Sequence, residues 1–302
     1  MTTGALAMVR CLELEGVKIA FGYPGAAICP FYDALAGSPI HHVLVRTEQN
    51  AAHAASGYAR ISGEVGVCIA TSGPGATNLL TGIASAYMDS IPLVVITGQV
   101  RSDLLGRDVF QEADITGAAE PFTKHSYIVS RASDIPRIFK EAFHIASTGR
   151  PGPVLIDVPI DMQQKSIPDF DYSRPVDIIG YKPRVQGHSL QIKKAVDALR
   201  TCKRPVICVG GGVFSAGAQK ELCAFIEKLN LPAISTMMGI GALPPIKPSG
   251  TRIWSLWPAP GWGTGPWPLP VRWPPAPRSS TSTWIPPRSA RICPPISRLW
   301  AI

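Results

Sequence analysis

Four short stretches of this 302-residue sequence carry residues able to do chemistry. In "VLVRTEQNAAHAASGYAR", Val43 to Arg60, a short apolar run leads into a helix whose first turn holds a lone carboxylate, Glu48, backed by Ala, Gly and Ser. An acid there is stabilised by the unpaired N–H groups and the helix dipole, and Thr47 before it reads as an ordinary N-cap. In "FGYPGAAI", Phe21 to Ile28, a strand ends in Pro24, Gly25 and Ala26, whose bare backbone lets a flat ligand approach closely. "TSGPGATNLL", from Thr71, opens a helix with a Gly-Pro-Gly turn whose free N–H groups suit a phosphate. It lacks both the P-loop lysine and the dinucleotide fingerprint, which argues against a simple nicotinamide-dependent dehydrogenase. In "GRDVFQEADITG", Gly106 to Gly117, a polar loop offers Phe110 and Gln111 to a site.

The elements around these stretches alternate regularly. Helix-period segments near 5–15, 31–35, 49–61, 76–88 and 135–147 are separated by the β-type runs "KIAFGY", "HHVLV", "VGVCIAT", "PLVVITG" and "PVLIDVP". Two of these runs, "VGVCIAT" and "PLVVITG", are apolar on both faces, as in the centre of a parallel sheet covered by helices. The predicted fold is α/β, a doubly wound parallel sheet. A linker at 166–188 separates this first domain, 1–165, from an incomplete second α/β domain at 189–243, with two strands around "VICVGGGV" and "PAISTMMG".

A different composition begins at 244. Residues 244–302 contain all seven tryptophans, frequent Pro and no Asp or Glu, so seven of the eight net positive charges lie there. This stretch reads as an aberrant, disordered tail produced by translation in a wrong frame; a basic, aromatic nucleic-acid-binding segment is disfavoured because proline interrupts any regular element. The seven cysteines show no CxxC pairing and read as small core residues of a reducing, cytoplasmic compartment. No apolar run is long enough to cross a membrane. His53 reads as a packing residue, because no second ligand at metal-binding spacing accompanies it.

Taken together in this order, "GYPGAAI", "RTEQNAAHAASGYAR", "TSGPGATNL", "FQEAD", "TKHSY" and "GRPGPVLIDVP" resemble the thiamine-diphosphate enzymes, most closely the large subunits of acetolactate synthase, over about 1–243. The resemblance implies that Glu48 shares a proton with the aminopyrimidine ring of thiamine diphosphate, next to Pro24, Gly25, Ala26 and Gln111. It further implies that Phe110 and Lys124 line a substrate channel for the 2-oxo acids pyruvate and 2-oxobutyrate. Arg150, Gly210, Gly211, Gly212, Thr236 and Met237 fall where the family holds a structural FAD. A homo-oligomer and a regulatory small subunit are implied partners, with no nucleic acid and no membrane. The family also binds Mg2+ through a Gly-Asp-Gly segment, and no Gly-Asp pair occurs here, so the chain reads as truncated and inactive alone. Other thiamine-diphosphate decarboxylases or oxidases, and a non-catalytic association fragment, are the alternatives.

Overall fold

The computed structural model describes residues 2–244 and 253–255 and divides into two compact units, one up to Gln186 and one from Gly187 onward. The first unit runs β1 (Thr2–Thr3), α1 (Gly4–Leu14), β2 (Ile19–Gly22), α2 (Cys29–Leu35), β3 (His41–Leu44), α3 (Glu48–Ser62), β4 (Gly66–Ala70), α4 (Pro74–Asn78), α5 (Leu80–Asp89) and β5 (Leu93–Gln99). It continues through α6 (Ile115–Ala119), β6 (His125–Ile128), α7 (Ile135–Ser147), β7 (Pro153–Pro159), α8 (Ile160–Gln164) and β8 (Ser166–Ile167).

Six of these strands form one parallel sheet in the order β3-β2-β4-β5-β7-β6. Every residue of β4, β5 and β7 is buried, and alternate side chains serve two cores. Val67, Ile69, Val94 and Ile96 meet α1, α2 and α7, while Cys68, Ala70, Leu93 and Val95 meet α3, α4, α5 and α6. The doubly wound α/β expectation is thus met.

α7 forms because Ile135, Ile138, Phe139, Ala142, Phe143 and Ala146 recur at helical spacing, with Pro136 where its missing N–H costs nothing. α3 buries only small residues, Ala51, Ala52, Ala55, Ser56 and Ala59. That stripe brings α5 close enough for Gly82 to face the Cβ of Ala52, where any side chain on Gly82 would collide. The small face is therefore spent on packing inside the unit. His53 lies on the opposite side of α3 and is exposed, which corrects the packing expectation. Among the six described cysteines only Cys11 and Cys68 are buried, so the core reading holds for those two; burial pushes the Cys68 thiol up to about 12.

The stretch expected as a linker has no regular element after β8 but is fastened to the first unit. Tyr172 Oη donates to Glu15 at 2.6 Å, and Lys140 Nζ donates to the carbonyls of Tyr172 and Arg174, each at 2.8 Å.

The second unit contains α9 (Ser189–Thr201), β9 (Ile207–Val209), α10 (Gly212–Ser215), α11 (Gln219–Leu229), β10 (Ala233–Ser235) and β11 (Ile253–Ser255). Its three strands are parallel in the order β11-β10-β9, one strand more than the two expected. The core is small: Val209, Ile226, Ala233, Ala242 and Leu243. The disordered-tail expectation for 244–302 falls, apart from Pro244 and β11, outside the described residues.

Candidate functional site

The chain leaves β2 for β3 on one side of the sheet and returns to β4 on the other, so the topological switch lies between β2 and β4. The crevice beyond the carboxyl ends of strands at such a point is where open α/β sheets bind ligands. Four connections converge there: those after β2, β3, β4 and β5.

The loops after β2 and β4 are joined by the Ala27 N–H, which donates to Thr71 Oγ1 at 3.2 Å. Gly25 abuts the same side chain; a Cβ added to it would stand 2.5 Å from Thr71 Cγ2. Gly73 turns the chain into α4 with φ +57°, and a Cβ on it would lie 2.8 Å from the Gln111 carbonyl oxygen. At Gly75 an added Cβ would approach Thr71 Cγ2 to 2.7 Å and Glu48 Oε1 to 3.4 Å. These three glycines thus let the loops after β2, β4 and β5 pack against one another where any side chain would collide.

Glu48 heads α3, yet its carboxylate reaches across the crevice: Oε2 accepts from Asn78 Nδ2 at the end of α4, at 2.9 Å. Thr47 occupies the N-cap position with extended backbone, but its hydroxyl makes no capping bond, which corrects the ordinary N-cap reading. The acid is therefore oriented by a neighbouring helix. Thr71 and Asn78 are the site residues that sequence reasoning missed. Both lie in the glycine-rich motif, which had drawn attention only to its backbone.

Gln111 reaches the crevice with left-handed backbone, φ 58°, against Gly73. Its loop is shaped by Glu112, whose carboxylate accepts from the backbone N–H groups of Gly106 and, at 3.1 Å, Val109. Those N–H groups, Gly106 first, hold the Glu112 carboxyl below the usual range. Phe110 projects from the loop tip and is 87% exposed, and Pro24 and Ala26 are exposed on the rim.

Other expected residues lie elsewhere. Lys124 immediately precedes β6, which puts it at the amino edge of the sheet, opposite Glu48. Its Nζ donates to the carbonyl of Ile145, to that of Thr148 at 2.7 Å and to Tyr181 Oη at 3.0 Å, closing the end of α7. Arg150 precedes β7 at the same edge and caps α5, donating to Ser90 Oγ at 2.7 Å and to the Met88 carbonyl. In the second unit Gly210 and Thr236 follow adjacent strands; a Cβ on Gly210 would sit 3.7 Å from Thr236 Oγ1. Gly211 faces Met238, Gly212 meets nothing within 4 Å, and Met237 is exposed.

The residues fit one half of a cofactor site. The Glu48 carboxylate, oriented by Asn78 at the crevice, suits a nitrogen heterocycle that can share a proton with it. For a divalent cation the donors do not fit: among the described residues no group of three or more His, Cys, Asp or Glu is placed to hold a metal ion. No helix of the described residues is long and apolar enough to cross a membrane.

A carboxylate held at the switch point of a parallel sheet, among closely packed glycine-containing loops, defines an α/β ligand-binding domain. The chain belongs to the thiamine pyrophosphate enzymes: the family's N-terminal TPP binding domain matches residues 2–118 and its central domain matches residues 192–256. It is 54% identical over 243 residues to the probable acetolactate synthase large subunit of Methanocaldococcus jannaschii, covering 80% of this chain and 41% of that protein. With the acetolactate synthase large subunit of Corynebacterium glutamicum it shares 54% identity over 243 residues, 80% of this chain and 39% of the relative. With isozyme 3 of Escherichia coli it shares 50% over 247 residues, 81% and 43%. The chain thus spans about two fifths of the length of the curated relatives it matches.

Proposed function

We propose that this chain carries the pyrimidine-recognising half of a thiamine-diphosphate site belonging to an acetolactate-forming enzyme. The observation that carries the reading is Glu48, held by Asn78 beside Gly75 at the switch point of the sheet. When bound, thiamine diphosphate supplies the chemistry that condenses pyruvate with a second 2-oxo acid, pyruvate or 2-oxobutyrate. Glu48 exchanges a proton with the ring nitrogen facing it, and Asn78 fixes the carboxylate that does so. Pro24, Gly25 and Ala26 would border the ring from the loop after β2. Gln111 and Phe110 close the crevice from the fourth loop.

The diphosphate and Mg2+ require a further domain, because the described residues offer no cation site. Arg150, Gly210, Gly211, Gly212, Thr236 and Met237 are the residues this reading assigns to a structural FAD, whereas Lys124, at the edge of the sheet away from Glu48, is left outside the crevice. A regulatory small subunit is the expected partner of the intact enzyme, since relatives are named as large subunits. A homo-oligomer and a cytoplasmic location belong to the same reading.

The purified chain with pyruvate, thiamine diphosphate, Mg2+ and FAD is expected to form no acetolactate above a no-protein control. Joined at residue 243 to the C-terminal remainder of the Methanocaldococcus relative, the same residues are expected to form it. Activity of the chain alone overturns the half-site reading; a folded but inactive chimera overturns the functional assignment.

A further inference from the structure

Behind the crevice the sheet contains a carboxyl group that the reading above leaves without a task. Asp157 on β7 is 1% exposed and lies beside Thr97 of β5. Its Oδ1 accepts from Thr97 Oγ1 at 2.6 Å and its Oδ2 from Gln99 Nε2 at 2.9 Å. Gln99, also buried, spends its second Nε2 proton on the Ala113 carbonyl at 2.9 Å, and its Oε1 accepts from the Val100 N–H at 2.9 Å. Val100 and Ala113 are the two ends of the loop that carries Phe110 and Gln111. One side-chain amide therefore clasps the entry and the exit of that loop.

The clasp works in one orientation only. Turned over, the amide would set Oε1 against two acceptors, Asp157 Oδ2 and the Ala113 carbonyl, and its NH2 against the Val100 N–H. A group that only accepts on that side enforces the working orientation, and a carboxylate is such a group. A second tether, from Asp161 to the Ser102 N–H at 2.9 Å and Ser102 Oγ at 2.7 Å, holds the early part of the loop but does not touch its exit.

We propose that Asp157 is a positioning residue: acting through Gln99, it joins both ends of the 100–114 loop and so sets where Gln111 meets the Glu48 crevice. The proposal rests on the reading of Gln111 as a crevice residue, but its test involves no cofactor, so its failure would leave that assignment untouched.

Amide hydrogen exchange of the full 302-residue chain at pH 8 tests it. Asp157→Leu is expected to speed exchange across 100–114 by about tenfold or more while 66–70 in β4 stays slow. Asp157→Asn, whose carbonyl can face Gln99 while its NH2 faces Thr97, is expected to keep protection at least as high as in the parent chain. Unchanged loop exchange in the leucine variant overturns the proposal. So does a uniform loss of protection over β5, β7 and the loop that asparagine fails to restore, since that marks a purely structural residue. Should Asp157→Leu not fold, Gln99→Met removes the clasp at similar length; loop-specific exposure then supports the proposal, and unaltered exchange refutes it.

Discussion

Asp157 also makes the stability of the first unit depend on pH in an unusual direction. Burial, only partly offset by the bonds from Thr97 and Gln99, lifts its carboxyl from 3.8 to about 7. The folded state consequently keeps a proton that the unfolded chain has released over that interval. Stability is greatest below the lower value, declines as pH rises, and levels off above about 7. At 1.36 kcal/mol per pH unit the interval corresponds to about 4 kcal/mol. Asp157→Asn removes the ionisation while keeping the shape. It is expected to match the parent chain near pH 4 and to exceed it by up to about 4 kcal/mol at pH 8, or about 10 °C in the melting midpoint of a unit this size. The seven tryptophans all lie at or beyond Trp254, so far-UV circular dichroism, rather than tryptophan fluorescence, reports on this unit. Parallel pH profiles for parent and variant, or a variant less stable at pH 8, would refute the reasoning.

Further substitutions probe the packing and the loop. Gly82→Ala pushes a methyl group into Ala52 and is expected to cost about 1–3 kcal/mol in denaturant unfolding. Lys124→Met leaves the carbonyls at the end of α7 without their donor and is expected to lower stability by about 1–3 kcal/mol by the same measurement. Glu112→Gln removes the charge around which the 106–112 backbone wraps, so trypsin is expected to cut after Arg107 severalfold faster at neutral pH. In the parent chain the depressed Glu112 pKa means this restraint is present at neutral pH and is lost as pH falls through the carboxylate's range, which hydrogen exchange at 106–112 would follow.

Much of the fold is readable because burial leaves a pattern. The runs of β4, β5 and β7 are apolar on both faces, and α7 carries an unbroken stripe, so their places along the chain follow from hydrophobicity alone. β6 was not expected: "HSYI" is two polar residues followed by Tyr and Ile, with neither an apolar run nor an alternation to mark it, on an edge strand that is half open to solvent. The five-residue helices α6 and α8 are too short to show a period. Glu48, Gly25 and Gln111 are recognisable by type and motif, but the bond between Glu48 and Asn78 spans 30 positions of sequence and exists only because α3 and α4 both start at the carboxyl edge of the sheet, after the strands that flank β2. Lys124 and Arg150 show the converse. Each lies in a motif of the family, yet each precedes a strand rather than following one, and parallel pairing then fixes it at the edge away from Glu48.

The most direct test concerns the Glu48 carboxyl. In the chimera with an intact C-terminal remainder, Glu48→Gln keeps the size and the contact with Asn78 but cannot trade a proton with a bound ring. NMR-monitored exchange of the proton on the reactive carbon of thiamine diphosphate is expected to slow by about a hundredfold or more, with acetolactate formation falling alongside. Undiminished exchange in a folded, cofactor-loaded Glu48→Gln chimera would contradict the account.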